Sequence, residues 1–156
     1  MATYTIGTGG DYASFDLAQT ALSAGLPEAG GTTFKVSGTV SGDHNFQTVY
    51  YTNGLTIIAK DGEECGPKIT DGAFINGVMT FGDYELTISK LRLRALNLLF
   101  TVTTEATIND SLIGQNSTTD NIIFSGTTKA KITNSIIIDG ADDGFYTSST
   151  SVTTLK

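Results

Sequence analysis

Three carboxylates crowd into the stretch IIIDGADDGFY: Asp139, Asp142 and Asp143. Two carboxyl groups flanking a glycosidic bond are what hydrolysis requires, one as acid and the other as base or nucleophile. Arg92 and Arg94, in LRLRA, are a second pair of candidates. They alternate along a run that reads as a strand, so their side chains share a face. Such a pair would serve as a base that removes a proton beside a carboxylate, or as a clamp on an acidic sugar. Each group also has a plainer reading, which its residue types favour. Asp-Gly and Asp-Asp-Gly are ordinary turn chemistry, because glycine supplies positive φ. Two arginines on a strand face are solvated or make ion pairs between subunits. The expectation leans against an enzyme, with a polysaccharide lyase or glycoside hydrolase as the alternative.

The other reactive side chains add little. His44, in SGDHNFQ, has no partner nucleophile in view and reads as a surface residue. Cys65, in GEECGPK, has only Lys60 and Lys68 as cations nearby in sequence and reads as a turn or edge residue. One Cys and one His supply neither an intrachain disulfide nor a zinc cluster, and no cofactor or metal is expected. There is no Trp to stack on a sugar, although Tyr50, Tyr51 and Tyr84 are available. A net charge of −7 argues against a nucleic-acid partner, which calls for clustered Lys and Arg. No apolar run approaches the roughly 20 residues of a membrane-crossing helix, so no membrane insertion is expected. MATYTIG lacks the charged and apolar regions of a secretory signal, so such a signal is not used or has been removed.

These side chains must be held by elements that the composition already restricts. The 156 residues are 39% apolar and 16% charged, with 18 Gly and 2 Pro. Thr makes up about one residue in six, far above average usage. This balance suits β-structure with many turns, in one domain spanning 1–156. The opening IGTGGDY mimics a phosphate-binding turn, but its third glycine is misplaced and Asp11 would sit where the phosphate belongs. It reads instead as a tight turn before a short helix over residues 13–25. Phe15, Ala18, Leu22 and Leu26 recur at helical spacing, Asp11 and Ser14 are candidate N-caps, and Gly25 with Pro27 gives a stop.

From residue 31 onward the chain repeats. NGVMTF, NLLFTV, NIIFSG and DGFYTS begin at Asn76, Asn97, Asn121 and Asp143 and align Met79, Phe100, Phe124 and Tyr146. LTISKLRL, ATINDSLI and KITNSIII form a second series on Ile88, Ile108 and Ile132, with Val152 expected next. TFKVSGTV and LTIIAKDG look like earlier, less regular members. Periods of about 22 residues predict a parallel β-solenoid, each coil stacking its apolar residues on the last. The leading Asn and Asp residues would then line one corner.

TYTIGTGGDYASFDLAQTAL followed by such coils resembles the pectin-lyase-like right-handed β-helix family, viral members included. The resemblance implies an all-β right-handed parallel β-helix. Residues 1–30 would form a strand, glycine turn and capping helix, and residues 31–156 the coils. Asp142 and Asp143 are similar to the paired aspartates of polygalacturonase-like hydrolases. However, the Gly-His-Gly and Arg-x-Lys elements that accompany that pair are absent.

With Ile88, Leu91 and Leu93 inward, Arg92, Leu112 and Ile136 share an outward slot. An outward apolar stripe marks an interface, whereas a slip in the alignment would make it core. SVTTLK enters a new coil without a lid, so either more chain or a neighbouring subunit is expected to cover it. The expectation is a structural or adhesive protein of a virion surface, of capsid-decoration or tail-spike type. It would form a homo-oligomer, a trimer by the resemblance, with other virion proteins or a surface glycan as further partners. The alternative location is extracellular, and a carbohydrate-binding module is a third possibility.

Overall fold

A strict alternation of buried and more exposed residues runs through Leu55–Ala59 and Phe74–Phe81, the period-two signature of a strand with one face on a core. The structure, a computed structural model, describes residues 1–23, 30–66, 72–100, 105–114, 122–126, 129–138, 145–147 and 152–155. Its first sheet contains β1 (Ala2–Gly7), β2 (Thr32–Ser37), β5 (Leu55–Ala59), β7 (Leu86–Ser89), β9 (Glu105–Asn109), β12 (Lys129–Thr133) and β15 (Val152–Leu155). They lie side by side in that order, all parallel. The second sheet contains β3 (Thr39–Ser41), β4 (His44–Phe46), β6 (Phe74–Phe81), β8 (Arg92–Phe100), β10 (Leu112–Ile113), β11 (Ile122–Gly126), β13 (Ile136–Ile137) and β14 (Phe145–Thr147). It too is parallel throughout, with long β6 and β8 serving both ends of the sheet. Among the described residues two helices accompany the sheets: α1 (Phe15–Leu22) and α2 (Thr48–Tyr51).

The expected all-β right-handed solenoid is therefore corrected. The architecture is a parallel-sheet-rich α/β fold in two sheets with few helices, and no closed coil is seen among the described residues. Two features depart from the regular repeat that was expected. The span between β4 and β5 folds as α2 and sends Tyr51 into the core, 1% exposed. The steps between paired strands are also uneven: Thr32 pairs with Leu55, Leu55 with Leu86, and Leu86 with Ala106.

Register in the first sheet follows chemistry. Phe34, Ile57, Ile88, Ile108 and Ile132 pair in succession and are all buried. Leu155, not Val152, lies next to Ile132, while Val152 pairs with Lys129. One residue over, on the outer face, Thr3, Thr33, Thr56, Thr87 and Thr107 form an unbroken row. Neighbouring Thr side chains on one face support each other and suit the pleated surface, which accounts for part of the Thr excess.

The second sheet slips relative to the aligned repeats. Met79 pairs with Leu96, Leu96 with Ile122, and Ile122 with Phe145, instead of the expected Met79, Phe100, Phe124, Tyr146 row. Strand β6 also carries a bulge, which moves its register on β8 by a single residue. Ile75 lies over Leu93, but Val78 lies over Ala95, so Asn76 and Gly77 oppose Arg94 alone. Asn76 and Asn97 sit inside strands and not at a corner, and Asn97 pairs with Thr80. Asn121 and Asp143 lie outside the described residues.

The glycine-rich opening folds back on β1. Gly7 N–H donates to the Tyr12 carbonyl at 2.8 Å and Tyr12 N–H to the Thr5 carbonyl at 3.1 Å. The Asp11 carboxylate accepts from Thr5 N–H at 2.7 Å. Asp11 thus occupies the outer edge of β1 and caps no helix; Ser14 is the N-cap, accepting from Leu17 N–H at 3.3 Å. Helix α1 buries Phe15 and Ala18 against an aromatic cluster, with Phe15 5.7 Å from Phe34 and 5.1 Å from Phe46 between ring centroids. Leu26, Gly25 and Pro27 lie outside the described residues.

Candidate functional site

Three equivalent turns carry the chain from the first sheet into the second. Each uses a non-glycine residue with positive φ: Lys90 (61°) after β7, Asp110 (51°) after β9 and Asn134 (48°) after β12. Asp and Asn tolerate this region better than most residues, which fits two of the three. The serine that follows Asp110 or Asn134 ties successive turns together. Ser111 N–H donates to Ser135 Oγ at 3.3 Å, and Leu91 N–H to Ser111 Oγ at 3.4 Å. Ser111 and Ser135 hydroxyls in turn donate to the Asn109 and Thr133 carbonyls, both at 2.9 Å. Asn134 Nδ2 also donates to Asp110 Oδ1 at 3.3 Å. The motif was visible in SKL, NDS and TNS, but only as a repeat of unlike residues.

A loop from Lys60 to Gly66 crosses this corner. Cys65 N–H donates to the Lys90 carbonyl at 2.9 Å, and its thiol donates to the Asp110 carbonyl at 2.9 Å. Burial, followed by the Asp110 charge, pushes the Cys65 thiol up, which keeps it protonated and donating. A groove of about 210 Å³ remains beside it, lined by Cys65, Asp110, Ser111, Leu112, Asn134 and Ile136 among others. Among the described residues no three His, Cys, Asp or Glu side chains converge on a metal position.

The loop is anchored at its other end by Glu63. That carboxylate accepts from Gly38 N–H at 2.5 Å and from the Ser37 hydroxyl at 2.9 Å. The Gly38 bond, then the Ser37 bond, hold the Glu63 carboxyl below its ordinary range. A carboxyl held down in the folded state contributes stability above its unfolded value and loses that contribution as pH falls through the folded value. Glu63→Gln should therefore cost about 1 kcal/mol near neutrality, less than a fully buried charge-assisted bond because the Glu63 side chain is 33% exposed and screened by solvent, and the cost should vanish in acid. Urea midpoints of the two proteins at pH 7 and pH 3.5 check this; equal offsets at both would contradict it.

Arg92, Leu112 and Ile136 occupy one column of the second sheet, with Phe74 next to Arg92. Their exposure is graded. The Arg92 guanidinium lies over the Phe74 ring, 4.5 Å from its centroid. Leu112 is only 9% exposed beside the Cys65 loop, so of the two readings of this slot its burial fits the core one. Ile136 is 60% exposed. Arg94 lies on the same strand opposite the bulge, and Leu93 between the two arginines is buried. Asp139, Asp142 and Asp143 lie outside the described residues, so no carboxylate separation is assigned.

His44, expected at the surface, is 5% exposed in β4, between Phe15 and Phe46. Its Nδ1 faces Asp16 Oδ1 of α1 at 2.5 Å. Tyr51 and Tyr84 are not sugar platforms: they are 1% and 3% exposed. Tyr51 donates to Gln19 at 3.2 Å and Tyr84 to the Phe46 carbonyl at 3.0 Å. Burial pushes both phenols well above their ordinary range.

No helix among the described residues is long and apolar enough to cross a membrane. Comparison with protein-family models, with curated proteins and with solved structures gave no match.

Proposed function

We propose that this protein is a structural subunit that assembles with copies of itself, in the setting its sequence resemblance implies, the surface of a virion. The observation that supports this reading is the exposed end of the outer column. Phe74 is shielded by Arg92 and Leu112 lies beside the Cys65 loop, but Ile136 stands 60% exposed on β13. Among the described residues β13 is the terminal strand of its arm of the sheet, and its two residues are both isoleucine. A strand edge without charge or proline invites pairing with another chain. The trimer, and further contacts with other virion proteins or a glycan, follow from the resemblance.

Ile136→Asp is the informative substitution, because Leu112→Asp would place a charge in a buried position and damage the fold instead. Light scattering is expected to give three times the chain mass for the wild type and a single chain for Ile136→Asp. A wild type that stays monomeric at tens of micromolar would refute assembly. An unchanged oligomer in Ile136→Asp would refute this surface.

A further inference from the structure

We propose that His44 is an acid-operated latch: uptake of a proton on its ring releases helix α1 from the sheets and uncovers the aromatic cluster beneath. The geometry sets two demands on the ring. Nδ1 faces the Asp16 carboxylate, so the neutral ring carries its proton there and donates it. Nε2 is buried and has no hydrogen-bond partner. Protonation adds an N–H at that second nitrogen, where no protein group accepts it.

The opposing effect is the attraction of an imidazolium for Asp16. The Asp16 side chain is 74% exposed, so solvent screens that attraction. The remaining groups around the ring do not rescue it. Asp43, next in sequence, is engaged at Oδ1 by Val78 N–H at 2.7 Å. Met79 of β6, paired with His44, does not titrate. Phe15 and Phe46 present aromatic rings, the Tyr51 hydroxyl is turned to Gln19, and that of Tyr84 to the Phe46 carbonyl. Among the described residues no Lys or Arg pairs with Asp16 or Asp43. Burial accordingly outweighs Asp16 and holds the His44 ring below its ordinary range.

The sign follows from linkage. A histidine held down in the closed state favours closure above its unfolded value, and that preference is lost as pH falls through the closed-state value. Opening α1 lets the ring reach water and take its proton, and Phe15 leaves Phe34 and Phe46 with it.

His44 is the chain's one histidine, so its imidazole resonances are read without overlap. The test is amide exchange across Phe15–Leu22 between pH 7 and pH 5, expressed as protection factors, for the wild type and His44→Asn. Asparagine keeps a donor near the Nδ1 position and does not titrate. In the wild type, α1 protection should fall by up to about tenfold per pH unit below 6.5 while the β5 and β7 amides hold. In His44→Asn it should stay flat. Unchanged wild-type protection, or the same loss in His44→Asn, overturns the latch. If the variant does not fold, the wild-type imidazole decides alone, a midpoint at or above 6.5 overturning the latch and a lower one supporting it.

Discussion

Gly7→Ala is expected to destabilise the protein by more than about 3 kcal/mol, lowering its melting temperature by at least about 6 °C. Two penalties coincide at this position. Gly7 has φ of 107°, a conformation that L side chains rarely adopt. An added Cβ would also stand 2.2 Å from the Ser37 carbonyl oxygen. That oxygen cannot readily give way, because it accepts from Thr8 N–H at 3.1 Å and Ser37 pairs with Gly7 in the sheet. Gly9 is the internal control. Its φ is 67° and nothing lies within 4 Å of where a methyl group would sit, so Gly9→Ala meets backbone strain alone, about 1 kcal/mol. Thermal melts of the two variants separate steric from conformational cost; equal shifts would contradict the assignment. The apparent phosphate turn of the sequence is therefore a backbone crossing that only glycine permits.

Phe46→Ala should be at least as damaging, about 3–5 kcal/mol. Phe46 is fully buried, stacks on Phe81 at 5.0 Å with 6° between planes, and meets Phe15, His44 and Tyr51 edge-on. It joins β4 and β6 to both helices. Neighbours drawn from four elements leave little scope for one of them to collapse into the void, which is the condition for a large cavity cost. Val49→Ala on α2, 60% exposed, should stay within about 0.5 kcal/mol. Urea midpoints measure both, and the near-UV aromatic dichroism should weaken in Phe46→Ala while folded protein remains. A shift below 1 kcal/mol would mean that the cluster repacks freely.

The inward row through Ile88, Ile108 and Ile132 was legible because burial enforces it, and a strand out of step would turn these residues to water. Helix α1 was legible from Phe15, Ala18 and the Ser14 cap. The second sheet was not, since likeness between NGVMTF and NLLFTV aligns Asn76 with Asn97, whereas the ladder sets Asn97 beside Thr80, four residues on. Helix α2 was hidden in TVYY, whose β-branched and aromatic residues favour strand by propensity. At the candidate site the column through Arg92, Leu112 and Ile136 could be drawn from spacing, but its cover could not. The Cys65 loop reaches that column through bonds to the Lys90 and Asp110 carbonyls, residues distant in sequence. His44 was misplaced for a similar reason: its polar neighbours in sequence concealed that Asp16 and two phenylalanines enclose it in space.

The fold-back of residues 7–12 along β1 has a consequence for colloidal behaviour. Thr5 and Gly7 have already committed their outward amide or carbonyl groups to Asp11 and Tyr12. An extended peptide arriving beside residues 5–7 finds those ladder positions already taken, so strand addition there is blocked from within the chain, without the lysines or prolines other proteins place at such edges. Because that protection resides in a single glycine-dependent crossing, a lesion at Gly7 would unmask a sticky border as well as weaken the fold.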